Sequence, residues 1–359
     1  MYRLVRRSWV LLCSALAALT ISGAATAATV TPVMTGLDNP RGLAFGPEGG
    51  LYVVEAGRGG SGPPCRIQRG ITQCYGATGA ISRLWHGVQE KWITGLPSMA
   101  APSGAEAESG PQHISFQGRG GAYVTVGLGT SPARREPLLP ELALSGHLLK
   151  VTPSGQIKAI ADLASYEGAA NPDGSLIDSN PFGVLAQPAR QLAVDAAANA
   201  VLEVAANGEV STLAVLNARA NPTPIGPPSV EAVPTAVEQG PDGALYVSEL
   251  TGVPFLTGFA RVHRIAPDGT TSVYATGLTA VIDLAFGEDG ALYALQHASC
   301  GPFFACPGSI VRVAASAPHP VVFGGFSRAT AFTIGPDGAF YVSNRGTSAG
   351  IGEVLRIEP

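Results

Sequence analysis

Hydrophobic positions along this chain come in short runs bounded by Gly, Pro, Asp and Ser, the pattern of β-strands joined by tight turns. One unit recurs. Gly46-Pro-Glu-Gly-Gly-Leu-Tyr-Val-Val-Glu55, Gly240-Pro-Asp-Gly-Ala-Leu-Tyr-Val-Ser-Glu249, Gly287-Glu-Asp-Gly-Ala-Leu-Tyr-Ala-Leu-Gln296 and Gly335-Pro-Asp-Gly-Ala-Phe-Tyr-Val-Ser-Asn344 each lead a turn into an apolar strand. Tyr246, Tyr293 and Tyr341 are spaced by 47 and 48 residues, the length of one four-stranded blade. Alignment on the strand adds Gln117-Gly-Arg-Gly-Gly-Ala-Tyr-Val-Thr-Val126 and Ala189-Arg-Gln-Leu-Ala-Val-Asp195 as further copies. Six second strands predict an all-β fold, a six-bladed β-propeller with four-stranded blades.

The remaining strands fall into the same register. Inner strands are expected at Arg41–Phe45, His113–Phe116, Phe182–Leu185, Thr235–Glu238, Ile282–Phe286 and Thr330–Ile334, and third strands follow each copy. Fourth strands share a cadence, as in Trp92-Ile-Thr-Gly-Leu96 and Tyr274-Ala-Thr-Gly-Leu278. The last blade lacks one, whereas Val30-Thr-Pro-Val-Met-Thr-Gly-Leu37 carries that cadence. The strand at the start of the mature chain is therefore expected to close the ring and cover an open edge.

Composition agrees with this class and narrows the function. Charged residues are 13% of the 359, with 46 Gly and 29 Pro, which disfavours a helical protein. A net charge of −4 gives no footprint for nucleic acid. Arg3, Arg6 and Arg7 precede an apolar run from Trp9 to Ile21 and then Ala25-Thr-Ala27, the layout of a cleaved signal peptide over residues 1–27. Residues 28–359 are then expected to form one exported, monomeric propeller domain, periplasmic or extracellular, with no transmembrane segment after cleavage.

Four cysteines remain after that cleavage, Cys65, Cys74, Cys300 and Cys306. An even count in an exported chain reads as disulfides, and nearest-neighbour pairing would pin two loops locally. No Cys-x-x-Cys spacing supports a metal site instead.

Loop lengths give the disc a polarity. Turns from first to second strands and from third to fourth are tight, as at Pro47-Glu-Gly and Pro267-Asp-Gly. Connections at 57–79, 127–145, 250–260, 297–308 and 345–352 are long, as are the links at 97–112, 164–181 and 214–233. Strand alternation puts both long classes on one decorated face, where function is usually held.

At the channel mouth on that face the second-strand ends present Glu55, Val126, Asp195, Glu249, Gln296 and Asn344. Of these, Glu55, Asp195, Glu249 and Asn344 could ring a hard cation such as Ca2+. The competing reading has them holding the next loop by side-chain to backbone bonds. Arg41, Gln112, Thr235, Gln296, His297 and Arg345 are candidate ligand contacts. His113 and Asp283 occupy one repeat position in blades two and five, hence face each other across the channel, as a base and an orienting acid or cation ligand. Asn171, Asp173, Asp178 and Asn180 cluster in one link, where turn formation is the first reading and Ca2+ the second. No Gly-x-Ser-x-Gly elbow supports nucleophilic catalysis.

Three segments resemble the ScyD/ScyE family of exported, NHL-like propeller proteins: Thr35-Gly-Leu-Asp-Asn-Pro-Arg-Gly-Leu-Ala-Phe45, Asn171-Pro-Asp-Gly-Ser-Leu-Ile-Asp-Ser-Asn-Pro-Phe-Gly183 and Gly243-Ala-Leu-Tyr-Val-Ser-Glu-Leu-Thr-Gly-Val-Pro-Phe255. The resemblance spans nearly all of the mature chain and implies fold and compartment, with no catalytic residues to carry over. The expected role is a binding or accessory protein presenting loops on one face to a small molecule or protein partner. The alternative is a calcium-dependent lactonase or esterase. The architecture is similar to six-bladed lactonases, which ring a calcium with Glu, Asn and Asp. Those enzymes place a glutamate where this chain has Asn39-Pro40-Arg41, a departure that counts against the alternative. Apolar loop residues such as Phe255, Phe259 and Phe303 plugging the channel would favour binding.

Overall fold

The structure is a computed structural model, and it describes residues 28–68, 70–102, 106–135 and 143–358. The leader expected over residues 1–27 lies outside the described residues.

Six antiparallel sheets each supply a four-stranded blade, and a two-stranded ribbon, Arg219–Ala220 with Ser229–Val230, decorates one link. The inner strands are Pro40–Phe45, Pro111–Phe116, Pro181–Ala186, Pro234–Gln239, Val281–Phe286 and Ala331–Ile334. Each packs against the inner strand of the next blade, and the sixth packs against the first, so the sheets form a closed ring. Thr29–Leu37 is the outer strand of the last blade, paired antiparallel with Gly352–Glu358 from Thr29↔Glu358 to Leu37↔Gly352.

Burial follows this arrangement. Blades twist face to face, and an apolar cluster fills each of the six gaps between neighbours. The cluster joining last blade to first holds Met34 and Leu37 from the closing strand beside Leu43, Val53 and Val354.

Two kinds of polar fastener recur, one on each face. At the plain-face turns, the aspartate of the repeated phrase caps its own turn, then binds the tyrosine hydroxyl and an arginine of the third strand. Asp242 accepts from the Ala244 N–H (3.1 Å), the Tyr246 hydroxyl (3.2 Å) and Arg264 (2.7 Å). Asp337 does the same with Ala339, Tyr341 and Arg356. Near the decorated face, hydroxyls cross between blades: Thr235 donates to the Val281 carbonyl (2.9 Å), Thr330 to Pro40 (2.7 Å) and Ser343 to Arg41 (2.7 Å). An inner strand has a free edge toward the axis, and its carbonyls need such donors.

Besides the link that carries the ribbon, further segments expected as loops have regular structure. Within 57–79, Cys65–Gln68 pairs with the long strand Ile71–Trp85, and Cys65 lies opposite Cys74 in a disulfide. Cys300 and Cys306 form the second disulfide. In the link at 97–112, Ala107–Ser109 adds to Val88–Ala100. The link at 164–181 opens with a helix, Leu163–Ala170. The Asp162 carboxylate accepts the Ser165 N–H (2.9 Å) as its N-cap, and Asn171 ends it in the left-handed region at φ 39°. Only Leu163, Ala164 and Glu167 are buried, too few apolar positions to mark a helical stripe.

Candidate functional site

The second-strand ends are buried, and four of the six are bonded to backbone N–H groups. Asp38 N–H donates to Glu55 (2.7 Å), Asn180 N–H to Asp195 (2.7 Å), Thr279 N–H to Gln296 (2.8 Å) and Ser327 N–H to Asn344 (2.8 Å). In all four, the side chain ties down the residue that leads into its own blade's inner strand. Glu55 also holds Lys91 and Ser82, and Glu249 lies between Arg219 (2.7 Å) and His263 (2.6 Å). Those hydrogen bonds and charges outweigh burial and keep the Glu249 carboxyl below its ordinary value. Burial pushes Asp195 up to about 6 even though Ser179 and three backbone N–H groups bind it. Among the described residues, no group of three or more His, Cys, Asp or Glu side chains could hold a metal ion. Glu55, Asp195, Glu249 and Asn344 therefore do not converge as the calcium ring that their shared repeat position suggested.

Most expected ligand contacts are likewise engaged at the mouth. Arg41 donates to the carbonyls of Gly346 (2.8 Å) and Ala107 (2.9 Å). Thr235 makes its stitch to Val281. The His297 Nδ1–H donates to Ala329 O (2.8 Å), and burial drives its pKa down to about 4. Gln112 is buried, and its Oε1 has no hydrogen-bond partner among the described residues. Arg345 alone of the six is exposed, 3.4 Å from Glu353. Phe255 stacks on Phe304 at 4.1 Å, with His297 edge-on to Phe304, and Phe259 lies beneath Arg219. Phe303 points to solvent.

His113 and Asp283 do meet across the axis, with Nε2 3.7 Å from Oδ1. They line a cavity of about 230 Å³ with Ser115, Glu238, Phe332 and Thr333, residues from the halves of the inner strands nearest the plain-face turns. Asp283 accepts the N–H groups of Leu284 and Phe332, both at 2.9 Å. Glu238 was not among the expected site residues. Burial, then the charge of Asp283, pushes its carboxyl up to about 8. A polar residue at an inner-strand position occupied by Leu185 or Ala285 in other blades was the available signal.

The decorated face holds a larger cavity of about 450 Å³. Arg66 and Ile67 of the disulfide-pinned hairpin form one side, and Thr130 and Arg134 a second. Asp178 and Asn180 of the following link complete the wall. Arg66 lies over the Tyr75 ring, 5.3 Å from its centroid. Thr130 pairs with Ser179, which sets the two long segments side by side. Two arginines and several hydrogen-bonding oxygens thus line one cavity of small-molecule size. These arginines sit in loops, where no repeat position singles them out.

Fold and cavities define a six-bladed β-propeller with a polar hub and loop-built pocket. The same fold is seen in virginiamycin B lyase from Staphylococcus aureus, 14% identical over 91% of this chain and 88% of that one, with a TM-score of 0.50. It recurs in a Bacteroides thetaiotaomicron protein of unknown function (11% identity, 92% and 76% covered, TM-score 0.54). A luciferin-regenerating enzyme is similar at 9% identity over 93% and 96% of the chains, TM-score 0.51. At such identities the likeness is one of fold alone. No protein-family model and no curated protein matches the chain. No helix among the described residues is long and apolar enough to cross a membrane.

Proposed function

We propose that this chain is an exported, monomeric binding or accessory protein of the ScyD/ScyE kind, taking a small anionic molecule in the decorated-face cavity. The observation that carries this reading is the convergence of Arg66 and Arg134 from separate loops on one pocket of about 450 Å³. Planar guanidinium groups suit carboxylate or phosphate oxygens, and the disulfide beside Arg66 limits the reorganisation needed on binding. A panel of small organic carboxylates and phosphates, followed by thermal shift and calorimetry, tests it. A ligand should bind the unaltered protein and bind Arg134→Ala about tenfold or more weakly. No binder in the panel, or binding indifferent to both Arg66→Ala and Arg134→Ala, would sink this assignment.

A second reading rests on the His113–Asp283 pair beside Glu238. Imidazole and carboxylic acid in one small cavity could serve general acid–base hydrolysis of a lactone or ester. Turnover that disappears in both His113→Gln and Asp283→Asn would support it, and no turnover across lactones and aryl esters would remove it.

A further inference from the structure

One buried acidic group lies outside both cavities. Glu167 is 1% exposed, and no side chain is hydrogen-bonded to its carboxylate among the described residues. Buried acids are ordinarily paired, because an uncompensated charge in the interior is costly. The neighbours of Glu167 make matters worse. Asp195, Asp173 and Asp178 all oppose its ionisation, and only the nearby Asp178 N–H favours it.

Its place in the fold adds two further pulls toward a positive charge. Glu167 lies in the last turn of the helix Leu163–Ala170, where carbonyl groups and the helix dipole attract cations. That turn contains no basic residue. Asn171, which caps the helix, has a buried Oδ1 without a hydrogen-bond partner, while its Nδ2 donates to Ser175 O (3.1 Å). Asp173 is differently employed, holding Ser175 N–H (2.9 Å) and the Asn199 amide (2.8 Å).

We propose that Glu167 and Asn171 Oδ1, completed by carbonyl oxygens at the helix end and water, bind a hard divalent cation of the calcium class. Carboxylate, amide and backbone oxygens together with water form an ordinary calcium shell, so three acidic side chains need not converge. A cation here would fasten the helix to the link 171–180. That link carries Asp178 and Asn180 in the wall of the decorated-face cavity. The site stands independently of whatever that cavity binds.

Protonation is the competing way to neutralise Glu167, and burial followed by the neighbouring carboxylates raises its pKa to about 7. The test is therefore run near pH 8 on chelator-treated mature protein, titrated with Ca2+ by calorimetry and by thermal unfolding. One equivalent of calcium should bind and raise the Tm. Glu167→Gln should abolish both effects while unfolding no earlier than the unaltered protein in chelator. Asn171→Gly retains the left-handed turn and should weaken affinity about tenfold. Absence of binding near pH 8, or calcium affinity unchanged in Glu167→Gln and Asn171→Gly, overturns the proposal. Should Glu167→Gln fail to fold, the native titration and Asn171→Gly still decide it.

Discussion

Val30 pairs with Ile357, so the outer strand of the last blade precedes the inner strand of the first. Met34 and Leu37 on that strand are buried in the gap between the two blades. Each is worth about 1.5–3 kcal/mol of apolar burial, before counting the strand's hydrogen bonds. A variant beginning at Asn39 should unfold at markedly lower urea concentration and self-associate through the bared Gly352–Glu358 edge. Met34→Ala alone should cost roughly 2–5 kcal/mol. Urea denaturation followed by circular dichroism measures both.

The channel acid gives a pH dependence of definite sign. Glu238 has a folded pKa of about 8, above its ordinary value, so the folded state binds more protons than the unfolded state between these limits. Its contribution to stability is present at low pH and is lost as pH rises toward 8. Glu238→Gln should flatten the decline in urea midpoint over that range. An equally steep decline in the variant would place the titration elsewhere.

Glu249 behaves oppositely. Its depressed pKa contributes stability above the ordinary carboxylate range, lost as pH falls through the folded value. Removing Arg219 leaves a fully buried carboxylate with His263 as its remaining ion-pair partner among the described residues. Arg219→Ala should cost on the order of 3–5 kcal/mol near neutral pH. That loss should shrink in acid, as denaturation at two pH values would show.

Reduction of Cys65–Cys74 should cost about 2–3 kcal/mol by loop entropy. The damage should concentrate in the hairpin that bears Arg66. Hydrogen exchange in reductant should therefore quicken at Ile71–Cys74 well before the inner strands respond.

The frame was legible because a turn demands special chemistry at fixed places. Asp242-Gly243 and Asp337-Gly338 announce their turns, and Tyr246 and Tyr341 mark the following strands. The same alignment set His113 opposite Asp283. Repeat position reveals which residue stands at the mouth, yet it cannot tell whether a ligand or a backbone group meets it. Glu55 and Gln296 consequently read either as ligand groups or as anchors for the next loop, and in the fold they hold the entries to their own blades. Glu167 gave no signal at all. Its helix depends on the Asp162 cap and a small buried face, and no periodic apolar stripe marks it.

The two sets of polar fasteners imply damage on two different scales. Losing Asp337 or Arg356 would loosen a single blade from its rim while the remaining five keep their contacts. Losing Thr330 or Ser343 would instead open a seam between blades six and one, and a ring cut at one seam has two raw ends. Rim substitutions should therefore fray the molecule gradually. Hub substitutions should make it fail as a whole, which leaves the plain-face turns freer to diverge.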